Sequence, residues 1–158
     1  MEEKIRDILS VLEKFDDIVY SSIQNVGKRL SMKDPLGELT STQCQAILKI
    51  SNINPCTLSQ AAKALRITKS SASALVERLV AKGVLEREQD PNNRRCVLIN
   101  VAPPAQKFIK AVDDRLITEI KKIAKKIGAD NFTKWHEAFH AINIAFENGN
   151  ETGKYRNK

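Results

Sequence analysis

The hydrophobic period of this chain changes at Lys82-Gly83, and that change restricts the possible folds more than any other feature of the sequence. Three short segments precede it, each with its own helix-start signal. Thr40 with Gln43 makes a capping-box pattern ahead of Ile47, Leu48 and Ile50, and Asn54-Pro55 breaks that helix. Thr57 with Gln60 repeats the pattern ahead of Leu58, Ala61, Ala62 and Leu65. Thr68 caps the third segment, whose inward stripe is Leu75, Val76, Leu79 and Val80, and Gly83 stands where a left-handed C-terminal residue is wanted. Beyond Gly83, residues 84–88 and 96–101 are short β-prone runs separated by the turn chemistry of Asp90-Pro91-Asn92-Asn93. Three capped helices that feed a hairpin predict a helix-turn-helix with a two-stranded wing.

Longer helices flank this centre. From residue 5 to 30 the residues Ile5, Ile8, Leu9, Leu12, Phe15, Val19, Ile23, Val26 and Leu30 step by three and four, which predicts one amphipathic helix. Residues 31–37, with Pro35 and Gly37, read as a loop. Pro103 and Pro104 suit the first turn of a fifth helix, whose stripe runs from Ile109 to Ile127 and stops at Gly128. A sixth is expected over about residues 131–146 with Phe132, Trp135, Phe139, Ile142 and Phe146 on one face, and residues 148–158 read as a frayed polar tail. The expected fold is mostly α with a small β hairpin. It divides into an N-terminal dimerisation helix (1–38), a winged helix-turn-helix (39–102), C-terminal dimerisation helices (103–147) and the tail. The small centre covers only part of the terminal stripes, so a second copy of the chain is implied.

Composition narrows the class. The 158 residues suit one domain with a real core. No stretch approaches the roughly 20 apolar residues of a membrane span. Residues 1–14 carry Glu2, Glu3, Lys4 and Arg6 where a signal peptide needs an apolar run, so the expected compartment is the cytoplasm. Cys44, Cys56 and Cys96 are odd in number and widely spaced, which fits reduced, packed thiols rather than disulfides or a zinc ribbon. The net charge of +7 is uneven: residues 1–40 carry −2, residues 41–102 carry +5 and residues 103–158 carry +4. A basic centre favours a polyanionic partner.

A helix-turn-helix places its second helix in the major groove, where short side chains near the N-terminus let the backbone approach the bases. Lys69, Ser70, Ser71 and Ser73 meet that need as DNA-binding residues. Arg94 and Arg95 follow the turn, where a wing-tip guanidinium would enter a narrow minor groove. Glu77 and Asp90 are the expected wing braces, with Glu77 placed to pair with Arg95.

These residues carry a family resemblance. Leu39-Thr40-Ser41-Thr42-Gln43, Leu58-Ser59-Gln60-Ala61-Ala62, Lys69-Ser70-Ser71-Ala72-Ser73, Leu75-Val76-Glu77-Arg78-Leu79, Lys82-Gly83-Val84-Leu85-Glu86-Arg87 and Asp90-Pro91-Asn92-Asn93-Arg94-Arg95 resemble MarR-type transcription regulators. The resemblance is dense from Leu39 to Val101, and the flanking helices extend it. It implies a homodimeric winged-helix repressor or activator on double-stranded DNA, without cofactor, whose operator affinity responds to a small, often aromatic, anionic effector. A ligand-responsive repressor at a pseudo-palindromic operator is the expected function. The sequence departs from the family pattern in placing Asn93 before the paired arginines where Asp is usual, Val101-Ala102-Pro103-Pro104-Ala105 where Leu-Thr-x-x-Gly is common, and Ala74 where a longer polar residue often stands. Ala74 shifts the expected weight from base readout toward phosphate contacts.

One motif points elsewhere. His136-Glu137-Ala138-Phe139-His140 is a literal H-E-x-x-H, the helical spacing that sets two imidazoles on one zinc with the glutamate as general base. A zinc hydrolase is therefore the rival reading. A catalytic zinc needs a third protein ligand, however, and only Glu147 and Glu151 follow the motif as candidates. The favoured reading is a DNA-binding regulator with no enzymatic activity, no metal site and no membrane partner.

Overall fold

The structure, a computed structural model, describes residues 1–30 and 39–151. The loop expected at 31–37 and the end of the tail, 152–158, lie outside the described residues. Six helices and three strands follow in the order α1 (Glu2–Leu30), α2 (Ser41–Ser51), β1 (Cys56–Thr57), α3 (Leu58–Leu65), α4 (Lys69–Ala81), β2 (Leu85–Asp90), β3 (Asn93–Val101), α5 (Pro103–Ile127) and α6 (Ala129–Glu151). The described chain falls into two compact units, the first Met1–Leu116 and the second beginning at Ile117.

The short helices start where their side chains satisfy orphan backbone donors. Thr40 and Gln43 close a reciprocal capping box on α2, and Thr57 and Gln60 close a second on α3. Thr68 Oγ1 accepts from the Ser71 N–H (3.2 Å) at the start of α4. Gly83 ends α4 with φ +67°, the left-handed stop the sequence predicts, and Gly128, where the α5 stripe stops, is also left-handed at φ +81°. The turn between α3 and α4 uses the same conformation without glycine: Arg66 caps α3 at φ 57°, and its N–H reaches the Ala62 and Lys63 carbonyls.

Where the sequence predicts a two-stranded wing, the sheet has three strands in the order β1-β3-β2, all antiparallel. Cys56 pairs with Ile99 and Thr57 with Leu98, so the residues entering α3 are stitched to the wing's second strand. Asn54 reinforces the seam by accepting the Val101 N–H on Oδ1 at 2.8 Å. The core of the first unit lies between sheet and helices. Ile47 and Ile50 of α2, Ala61 of α3, Val76 and Leu79 of α4, Leu85 and Ile99 of the wing and Phe108 and Val112 of α5 are buried together. Ile23 and Val26 join them from α1, which anchors the C-terminal half of that helix. Burying a Leu, Ile or Phe side chain contributes roughly 1.5–3 kcal/mol, so this cluster holds the helix-turn-helix and wing in one orientation.

The rest of the apolar stripe on α1 stays uncovered within the chain: Ile5, Ile8, Leu9 and Leu12 are exposed. In the second unit, Phe132, Trp135 and Phe139 form an edge-on series along α6 with centroids 5.7 and 5.6 Å apart. Phe139, Ile142 and Phe146 are exposed there as well. Residues 148–151, expected in the polar tail, belong to α6. No described helix is long and apolar enough to cross a membrane.

Candidate nucleic-acid interface

Helix α4 turns Ala72, Val76 and Leu79 into the core, which leaves Lys69, Ser70, Ser71, Ala74, Glu77 and Arg78 exposed. The period of the helix alone dictates this division. Around the cap, Thr68 Oγ1 lies 2.8 Å from Ser71 Oγ and 3.1 Å from Ser70 Oγ, so both serines hold the first turn in a short hydroxyl cluster. Ser73 Oγ donates to Glu77 Oε1 at 3.1 Å. Three of the four residues expected to face DNA are thus engaged in the helix's own hydrogen bonds, and Lys69 is the charged one among them. Their small size still lets another surface approach the α4 backbone.

Sequence reasoning passed over Arg78. Its Nε donates to the Ala74 carbonyl at 3.1 Å, which lays the exposed guanidinium along the outward face one turn from Ala74. Counting in fours from Ser70 through Ala74 finds this residue in the sequence.

The wing tip is built by an irregularity in the β2–β3 ladder. Gln89 pairs with Val97, yet the next residue, Asp90, pairs with Asn93. Arg94, Arg95 and Cys96 are therefore extra on β3, and they bulge from the ladder beside the turn. Side chains pin this bulge. Asp90 Oδ1 accepts the Asn92 N–H (2.8 Å), Asn93 Oδ1 accepts the Arg95 N–H (3.2 Å), and Gln89 Nε2 donates to the Arg94 carbonyl (2.7 Å). The Arg94 and Arg95 backbones are fixed while both side chains are exposed. Asn93 braces the bulge through its side-chain amide oxygen.

Glu77 does not make the expected pair with Arg95. Its Oε1 lies 3.8 Å from the guanidinium of Arg87 on β2. The reason is distance along the strand: Arg87 lies two residues past the start of β2, whereas Arg95 sits in the bulge at the far end of the hairpin. Glu77 thus connects α4 to the base of the wing, and Asp90 shapes its tip.

The H-E-x-x-H residues lie on α6 as the sequence predicts, with His136 and His140 exposed. Among the described residues no group of three or more potential metal ligands comes together.

Residues 39–97 match the MarR family model. Solved structures with the same fold include the protein RV1404 from Mycobacterium tuberculosis, at TM-score 0.75 and 21% identity, covering 92% of this chain and 93% of that one. A MarR family protein from Bacillus stearothermophilus superposes at TM-score 0.72 and 12% identity over 93% of this chain and 98% of its own. Wild-type MarR from E. coli in its apo form superposes at 0.61 and 19% identity, covering 87% and 94%. No curated protein matches the sequence. The MarR family is one of transcription regulators, not of enzymes. Residues 39–97 match the MarR family model as a winged helix-turn-helix, in a chain that shares its fold with these solved structures along nearly its whole length.

Proposed function

We propose that this chain is a homodimeric, cytoplasmic, DNA-binding transcription regulator that represses from a pseudo-palindromic operator. The observation that carries the reading is the pairing of two exposed elements. The outward face of α4 offers a close-approach surface with Lys69 and Arg78, and the pinned bulge presents Arg94 and Arg95 at the wing tip. Helix in the major groove and arginine in the minor groove is how a winged helix reads a duplex. The uncovered apolar stripes on α1 and α6 supply the surface for a second copy. A two-fold dimer sets its α4 helices on half-sites about 34–36 Å apart.

The effector part of the reading rests on a cavity of about 360 Å³ between α1 and α2, lined by Asp16, Val19, Tyr20, Ile23, Leu48 and Lys49 among others. That volume is within the range of small-ligand sites. Val19, Tyr20, Ile23 and Leu48 give it apolar and aromatic walls that suit a small aromatic ligand, and Lys49, set against Asp16 in the same lining, is the group that would pair with an acidic substituent.

Selection of bound duplexes from a random pool, followed by anisotropy titration of the winners, tests the function. The expected result is an inverted repeat bound with a stoichiometry of two chains per duplex. Equal affinity for the selected and the unselected duplexes would reject it.

A further inference from the structure

His136 and His140 are the only histidines of the chain, and α6 brings them together. Residues four apart stand about 40° from each other around a helix, one turn apart along it. The two rings are parallel, with an interplanar angle of 2° and centroids 6.3 Å apart. Both side chains are exposed. Apart from this stacking, neither imidazole has a hydrogen-bond or ion-pair partner among the described residues. Within the chain, the edge-on series of Phe132, Trp135 and Phe139 lies on the neighbouring face and leaves both histidines exposed.

We propose that His136 and His140 form a two-imidazole surface site for one late first-row divalent ion, of the Cu²⁺ or Zn²⁺ type. Imidazole nitrogen selects these ions over Mg²⁺ and Ca²⁺, which want oxygen. Metal–nitrogen bonds of about 2.0–2.1 Å at a tetrahedral angle put two ring centroids about 5 Å apart. Closing from 6.3 Å needs only side-chain rotation by two exposed residues. The helix holds the second imidazole at a high effective concentration once the first has bound, so the pair acts as a chelate. With two protein ligands and no third among the described residues, the ion keeps its other positions for water and exchanges freely. That separates this site from a catalytic zinc. Glu137 stands about 100° from His136 and about 60° from His140 around the helix, and among the described residues it completes no group of three potential ligands with them.

Trp135, the only tryptophan, adjoins the site and reports on it, because bound Cu²⁺ quenches nearby indole emission. The full chain is titrated with copper sulfate alone, then with zinc chloride as competitor. The expected result is saturable quenching that Zn²⁺ reverses. His136→Gln and His140→Gln should each raise the half-quenching concentration at least tenfold, since either change turns a chelate into a single ligand. Glu137→Gln should bind copper like wild type. Copper held by thiols or by the chain's N-terminus persists in every variant, so the difference between variants isolates the pair. Quenching that never saturates, or a midpoint unchanged in both histidine variants, overturns the proposal.

Discussion

Glu77 of α4 receives Ser73 Oγ at 3.1 Å and the Arg87 guanidinium at 3.8 Å on the same carboxylate oxygen. One acidic side chain thereby links the N-terminal half of the outward helix face to the base of the wing. The Arg87 and Glu77 side chains are 41% and 62% exposed, so water screens the pair strongly. A double-mutant cycle of Glu77→Ala and Arg87→Ala, read by urea denaturation, should give a coupling of about 0–1 kcal/mol. A value well above that range would mean that the pair is a stability element and not a positional one.

Salt dependence tests the wing. Arg94→Ala and Arg95→Ala should each weaken binding to the selected duplex. Removing one phosphate-binding guanidinium should flatten the slope of log affinity against log salt by about one unit. The fold should be untouched, because the bulge is pinned through the Arg94 carbonyl and the Arg95 N–H rather than through their side chains. Variants that bind like wild type at every salt concentration would remove the wing from the interface.

The difference between what the sequence shows and what it hides follows from range. Thr40 with Gln43, Thr57 with Gln60, and Thr68 with Ser71 each act within three residues, so the starts of α2, α3 and α4 are legible. Gly83 is legible for the same reason. Strand β1 is not, because two residues carry no period and its partners, Leu98 and Ile99, lie some forty positions away. The Glu77 pair fails on register: choosing Arg87 over Arg95 requires knowing where the ladder slips at Gln89-Asp90. Arg66 gives no signal at all, since nothing in its residue type announces a left-handed cap.

Assembly can be tested without disturbing the winged helix. Ile8 and Leu12 lie on the exposed stripe of α1, away from Ile23 and Val26, which are buried in the core. Ile8→Glu with Leu12→Glu should place two charges in the proposed dimer contact and shift the chain to monomer in sedimentation equilibrium. Helical content should stay close to wild type. A variant that still sediments as a dimer would put the contact elsewhere. Deleting residues 1–31 is the blunter test, expected to give a monomeric or aggregating chain, because it also strips Ile23 and Val26 from the core.

Gly83→Ala separates backbone strain from crowding. At Gly83 φ is +67°, and an added Cβ would meet no atom within 4 Å. The cost therefore comes only from the left-handed conformation, about 1–2 kcal/mol. Thermal unfolding should show a lowered Tm with the DNA contacts of the folded protein retained. A neutral or stabilising effect would mean that the end of α4 relaxes out of the left-handed region.

Thiol reactivity follows from burial. Cys44 and Cys56 are 3% and 1% exposed, whereas Cys96, in the bulge, is partly exposed. Burial pushes both buried thiols above the ordinary cysteine range, although in Cys44 a backbone hydrogen bond and the charge of Lys82 offset part of that rise. The reactive species is the thiolate, so a raised pKa lowers its fraction at neutral pH and adds to the steric protection. An aromatic disulfide reagent at about pH 7.5 should titrate one thiol per chain quickly and the other two only as the protein opens or is denatured. Cys96→Ser should abolish the fast phase. Rapid labelling of Cys44 in the native Cys96→Ser protein would contradict this and expose the α1–α2 junction as open in solution.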